Sequence, residues 1–97
     1  MLDIDKLRNE IDDIDKQIIE LFEKRMDVVL NVAKYKMERN LPIFNGAREN
    51  AVIEKNLKRL KNKEYSDYAE KFLNDMMATS REFQQSIMGQ VKVGVQG

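Results

Sequence analysis

Apolar residues recur in alternating steps of three and four along the first third of the chain, at Ile4, Leu7, Ile11, Ile14, Ile18, Leu21, Val28, Val32 and Tyr35. That spacing predicts an amphipathic helix with one continuous apolar seam over Ile4–Lys36, a stretch free of proline and glycine. At 1.5 Å per residue the helix is about 50 Å long. A compact domain of 97 residues has a radius of gyration of only about 12–13 Å. The helix therefore overhangs any fold the chain makes alone, and its seam needs a partner, most simply a second copy of itself.

The seam has one gap in its apolar series, at Arg25. On a helical projection Arg25 and Lys36 fall inside the apolar stripe, and Arg8 lies at its edge. A buried cation is costly unless an anion accompanies it. A side chain snorkelling out of the stripe accounts for one such residue. Two on the seam, with a third beside it, point to an anion site.

The remaining elements follow from local signals. Asp3 or Asp5 suits the N-cap of the first helix. Its end is expected near Arg39-Asn40, because Pro42 disfavours helical geometry at Leu41. Asn45 is a good cap for a second helix, about Ala47 to Asn62, burying Ala51, Val52, Leu57 and Leu60. Ser66 suits the cap of a third, about Asp67 to Met88, with Tyr68, Phe72, Leu73, Met76, Met77, Phe83 and Ile87 on its apolar face. Ser80 and Gln84 lie inside that face. A serine there can bond back to the carbonyl four residues earlier. A buried glutamine is harder to dismiss, since four hydrogen-bonding sites need partners. Beyond Gly89, Val91-Lys92-Val93-Gly94-Val95-Gln96-Gly97 alternates like a strand. Residues 1–90 read as one helical domain and 91–97 as a tail, either frayed or the opening strand of a further α/β domain.

Composition narrows the chemistry. The 17 basic and 17 acidic residues cancel, so no net field recruits nucleic acid or an anionic membrane. The chain has no cysteine and no histidine, which excludes a disulfide frame, a thiolate nucleophile, imidazole chemistry at neutral pH and the usual transition-metal sites. The N-terminus lacks a basic-then-apolar signal pattern, and a cytoplasmic location is the expectation. If the protein is an enzyme, it works by binding and positioning.

Arg25 and Lys36 are separated by about 16 Å along the helix axis, close enough for both side chains to reach one small dianion. Arg8 is about 25 Å from Arg25 on the same helix, too far to join them. An antiparallel neighbour brings the partner's Arg8 to the Arg25 end. The spacing suggests two sites per dimer, each borrowing one residue across the interface.

The run Leu7-Arg8-Asn9-Glu10-Ile11-Asp12-Asp13-Ile14-Asp15 resembles the opening of the all-helical chorismate mutases. So do Arg25, Lys36, the segment Pro42-Ile43-Phe44-Asn45-Gly46-Ala47-Arg48-Glu49, and the late Ser80-Arg81-Glu82-Phe83-Gln84-Gln85. Each motif is weak alone, but over residues 4–88 they occur in order and with compatible spacing. The resemblance implies an all-α fold, an intertwined homodimer of three-helix subunits that converts chorismate to prephenate for phenylalanine and tyrosine synthesis.

On this resemblance Arg25, with the partner's Arg8, grips the substrate carboxylates, and Ser80 assists. Lys36 and Gln84 donate to the ether oxygen of the breaking C–O bond. Glu49 accepts from the ring hydroxyl, and Arg48 helps order that end of the site. The family often has aspartate where this chain has Asn45. The tail resembles the first strand of prephenate dehydratase, which follows the mutase in some bifunctional polypeptides. The chemistry suits the composition: a Claisen rearrangement is unimolecular and pericyclic, and needs no nucleophile, general base, metal or cofactor. Two other classes share part of the pattern. A helical dimerisation module accounts for the seam but not for Arg25, Lys36 and Gln84. A lyase removing pyruvate from isochorismate shares the cations, but Glu49 and the dehydratase-like strand argue against it.

Overall fold

The structure, a computed structural model, describes residues 1–96, with side chains described through residue 89. The fold is all-α, built from α1 (Ile4–Glu38), α2 (Gly46–Arg59) and α3 (Ser66–Gln96). A short 3-10 turn, Lys63–Tyr65, leads into α3.

Both ends of α1 are set by local chemistry. Of the two candidate caps Asp3 is the one used: its side chain accepts from the Asp5 N–H at 3.0 Å. At the other end Asn40 takes the left-handed conformation, φ 54°. The Leu41 N–H then reaches the Lys36 carbonyl at 2.9 Å and the Asn40 N–H the Met37 carbonyl at 3.4 Å. This is a Schellman termination, and asparagine tolerates the left-handed position better than any residue but glycine. Pro42 keeps the chain from resuming the helix.

Asn45 caps α2, its Oδ1 accepting from the Arg48 N–H at 3.1 Å. The helix stops at Arg59, short of the expected Asn62, because Asn62 caps the 3-10 turn by accepting from the Glu64 N–H at 3.0 Å. Ser66 is not the cap expected for α3: its φ and ψ of −55° and −47° are helical, so the turn runs straight into the helix. The helix continues through Gln96, over a stretch expected as a strand. A strand with no neighbour leaves its backbone groups unpaired, whereas the helix pairs each with its own chain. Gly97 lies outside the described residues.

α3 packs on both α1 and α2 and forms the hub of the chain. The buried apolar core is small: Val29 and Ala33 from α1, Leu73 and Met77 from α3. Val52, Leu57 and Leu60 of α2 are half-buried, but Ala51, expected inside, is exposed. Tyr68 and Phe72, expected on the covered face of α3, are also exposed, although Leu73 next to Phe72 is buried. The molecule measures 62 × 28 × 15 Å with a radius of gyration of 17.5 Å. That is well above the roughly 12–13 Å of a compact chain of this length. The overhang expected of α1 is present, and no helix among the described residues is long and apolar enough to cross a membrane.

Candidate functional site

The second half of α1, the start of α2 and the middle of α3 enclose a cavity of about 260 Å³. Its apolar wall is Val28, Val29 and Val32 of α1, Ile43 of the connecting loop, Val52 of α2 and Met77 of α3. Its polar wall is Arg25, Lys36, Asn45, Arg48, Glu49, Ser80, Arg81 and Gln84. Seven of the eight residues singled out from the sequence therefore line one cavity. Arg8 does not: it is exposed on the uncovered half of α1, about 25 Å along the helix from Arg25.

At one end the Arg25 guanidinium donates to the Ser80 hydroxyl. Ser80 in turn donates to the Met76 carbonyl at 3.0 Å, the back-bond expected of a serine on a covered helix face. With its proton committed there, Ser80 offers Arg25 an acceptor and holds the guanidinium in place. Burial lowers the Arg25 pKa below its ordinary value, because the apolar wall penalises the cation. A guanidinium nevertheless stays protonated at neutral pH. The result is a desolvated positive charge with no carboxylate beside it.

At the other end Lys36 spans α1, the loop and α3. Its Nζ donates to the Ile43 carbonyl at 2.6 Å and to Gln84 Oε1 at 3.1 Å. An ammonium has three donors, so one remains. Gln84 is buried, at 6% exposure, with its oxygen occupied by Lys36. Its NH2 makes no bond among the described residues, and since no buried polar atom there lacks a partner, that group opens onto accessible space. The Lys36–Gln84 bond thus orients the amide with its donor end free. One ammonium donor and the amide NH2 are thus unused at this end of the cavity, available to an acceptor within reach of both.

The donor set includes no cysteine or histidine, and no cluster of metal-ligating side chains occurs among the described residues. Four cations and one carboxylate line the cavity. A chamber with an apolar wall, that excess of positive charge and two unused donors suits a small dianion carrying a developing oxyanion.

The family model for chorismate mutase type II matches residues 7–85. The chain belongs to the type II chorismate mutase family. The matched span takes in α2, most of α1 and α3, and every polar residue of the cavity. Among characterised proteins the chain is similar to the T-protein of Haemophilus influenzae, 44% identical over 48 residues, covering 50% of this chain and 13% of that protein. It is also similar to the bifunctional chorismate mutase/prephenate dehydratase of Buchnera aphidicola, 43% identical over 53 residues, covering 55% of this chain and 14% of that protein. The chain thus spans about one seventh of the length of these relatives. No solved structure matches it.

One cavity residue of this chorismate mutase family member escaped the sequence reading. Arg81 ion-pairs with Glu49 across the α2–α3 interface, and its guanidinium stands 5.5 Å from the Phe44 ring centroid. On the helical projection it falls just outside the apolar arc of α3, where a cation looks like ordinary solvated surface. Its position directly after Ser80 and three residues before Gln84, both polar on a covered face, was the available signal.

Proposed function

We propose that the chain catalyses the rearrangement of chorismate to prephenate, in a homodimer with two sites that each combine seven residues of one subunit with Arg8 of the other. The observation carrying this reading is the Lys36–Gln84 pair on the wall of a cationic cavity, joined by a 3.1 Å bond from Nζ to Oε1 that leaves donors unused on both side chains.

In this mechanism Arg25 and the partner's Arg8 bind the two carboxylates and hold the substrate folded, with the bond-forming carbons in contact. That positioning lowers the entropic part of the barrier. As the ether C–O bond lengthens, negative charge grows on its oxygen, which lies between Lys36 and Gln84. Donors already oriented by their mutual bond need no reorganisation, and one such donor contributes about 3–4 kcal/mol. Glu49 accepts from the ring hydroxyl and sets the register. Electrons shift within the substrate alone, so no proton leaves or enters.

Support for the dimer comes from the first half of α1. Ile4, Ile11, Ile14, Ile18, Leu21 and Phe22 are 41–63% exposed. A continuous stripe of this kind, on a chain whose buried apolar core among the described residues is Val29, Ala33, Leu73 and Met77, calls for a second surface. An antiparallel copy covers it and carries Arg8 to the Arg25 end. The similarity to a bifunctional mutase/dehydratase further suggests that a prephenate dehydratase domain is joined to this one in a longer cytoplasmic polypeptide.

Incubation with chorismate and, separately, with isochorismate tests the reaction: prephenate from chorismate supports it, while pyruvate release from isochorismate points to a lyase and no turnover of either to a binding module. The shared site is tested by mixing Arg8→Ala and Arg25→Ala chains, each nearly inactive, then unfolding and refolding them together. Random pairing gives about half heterodimers, each with one intact and one doubly deficient site. Activity should recover to about a quarter of wild type. Heterodimers seen by native mass spectrometry without recovery would mean the two arginines do not meet.

A further inference from the structure

We infer that Arg81 is a positioning residue for Glu49, and that the ion pair, rather than the carboxylate alone, receives the ligand hydroxyl at this end of the cavity. The inference rests on the proposed mutase reading of the site.

Among the cavity's four cations Arg81 is distinct in having a carboxylate partner. Arg25 is bonded to a hydroxyl, Lys36 to a carbonyl and an amide oxygen, and the Arg48 side chain has no bond to an acidic group among the described residues. Three positive charges are thus left for an anionic ligand, while the fourth is used within the wall. The use has a physical reason. A bare carboxylate in a chamber that takes a dianion would repel it, and partial burial makes the repulsion larger than in water. Pairing with Arg81 cancels the charge without removing the acceptor: Nη1 occupies Oε1, and Oε2 has no partner among the described residues.

The pair is also held from three directions. Glu49 lies in the first turn of α2, Arg81 comes from α3, and Phe44 of the loop places its ring near the guanidinium. That ring lies against Gly46 so closely that a Cβ there would sit 3.3 Å from it. Side-chain exposures of 31% for Arg81 and 20% for Glu49 put the contact at a partly screened depth, where a fixed ion pair is stronger than a surface one.

The test is a double-mutant cycle on chorismate turnover, using Arg81→Met, Glu49→Gln and the double variant, with Arg81→Lys as the conservative change. Arg81→Met should lower kcat/KM by roughly tenfold or more, mainly through KM, a coupling typical of residues in direct contact. In the Glu49→Gln background, where no carboxylate remains to neutralise, the same change should cost less than about twofold. Arg81→Lys should recover most of the loss. If Arg81→Met does not fold, as judged by circular dichroism, the Arg81→Lys loss is compared in the two backgrounds instead. An equal penalty in both backgrounds, or none while Glu49→Gln is impaired, overturns the role of Arg81 alone. A harmless Glu49→Gln overturns this inference alone, and no wild-type turnover overturns the underlying reading and this inference with it.

Discussion

On the first half of α1, Ile11, Ile14 and Ile18 are 54%, 54% and 45% exposed; on the second half, Val29 and Ala33 are 8% and 0% exposed. The seam positions Val28, Val32 and Tyr35 of the second half stay 61%, 39% and 52% exposed, so what the rest of the chain covers there is the adjoining line of Val29 and Ala33. α3 covers the second half, where Ala33 permits a close helix contact and where two seam positions carry cations that face the cavity. Among the described residues, no side chain of the first half is buried. An apolar stripe therefore specifies that a surface must be covered, not which chain covers it. The half with a partner in its own chain can spend its polar positions on chemistry, and the half without one is left to assembly.

The largest effect should come from disabling the uncovered half. Ile11→Asp combined with Ile14→Asp removes two isoleucines per chain, each contributing about 1.5–3 kcal/mol when buried. Over both copies of a dimer that is about 6–12 kcal/mol, as large as the whole stability of a typical domain. The variant should lose its cooperative helical melt and sediment as an expanded monomer. A variant that stays folded and dimeric would show that the seam is not the interface, and the contrast between the halves would then need another cause.

The covered half should respond in rate rather than in folding. Lys36→Met should lower kcat by about 10²–10³ and raise KM, since it removes both a transition-state donor and a charge facing the dianion. Stability should change by less than about 2 kcal/mol, because the hydrogen bonds lost to Ile43 and Gln84 are offset by removing a half-buried charge. A collapse of folding with no separate catalytic defect would make Lys36 a loop anchor only. Gln84→Glu gives a pH test with a definite sign. The wild-type amide does not titrate, so this contact should be constant around neutrality. A carboxylate at 84 donates only when protonated, so activity should climb roughly tenfold per pH unit as pH falls from 7 toward the carboxyl pKa. A flat profile between pH 5 and 8 would remove Gln84 from the donor pair.

These residues differ in how visibly the sequence announced them. Arg25, Lys36, Ser80 and Gln84 were legible because polar side chains inside an apolar stripe break a pattern. The end of α1 was legible because Asn40 and Pro42 carry backbone constraints of their own. Arg48 and Glu49 stand in the first turn of a helix, where charged residues are ordinary, and only the family resemblance gave them roles. Arg81 sat beyond the edge of the arc, and its importance depends on which α2 residue lies opposite, a tertiary fact. The continuation of α3 past Met88 was misread because Val91, Val93 and Val95 have strand periodicity. In a chain with no sheet to join, backbone hydrogen bonding overrides that preference.

The smallest effect should come from Asn45, at the boundary between loop and cavity. Its Oδ1 accepts from the Arg48 N–H, so the side chain is already occupied as the helix cap. Asn45→Asp keeps that acceptor and adds a negative charge beside the positive end of α2, worth about 0.3–1 kcal/mol of stability. If the backbone N–H groups at the start of α2 are what the ligand uses, kcat should change by less than about threefold, and KM should rise slightly from the added charge. Thermal melting and steady-state kinetics on the same preparation separate the two contributions. A KM that instead falls by more than tenfold would mean that the site is built for a carboxylate at this position, and that Asn45 holds this chain below the affinity its other residues allow.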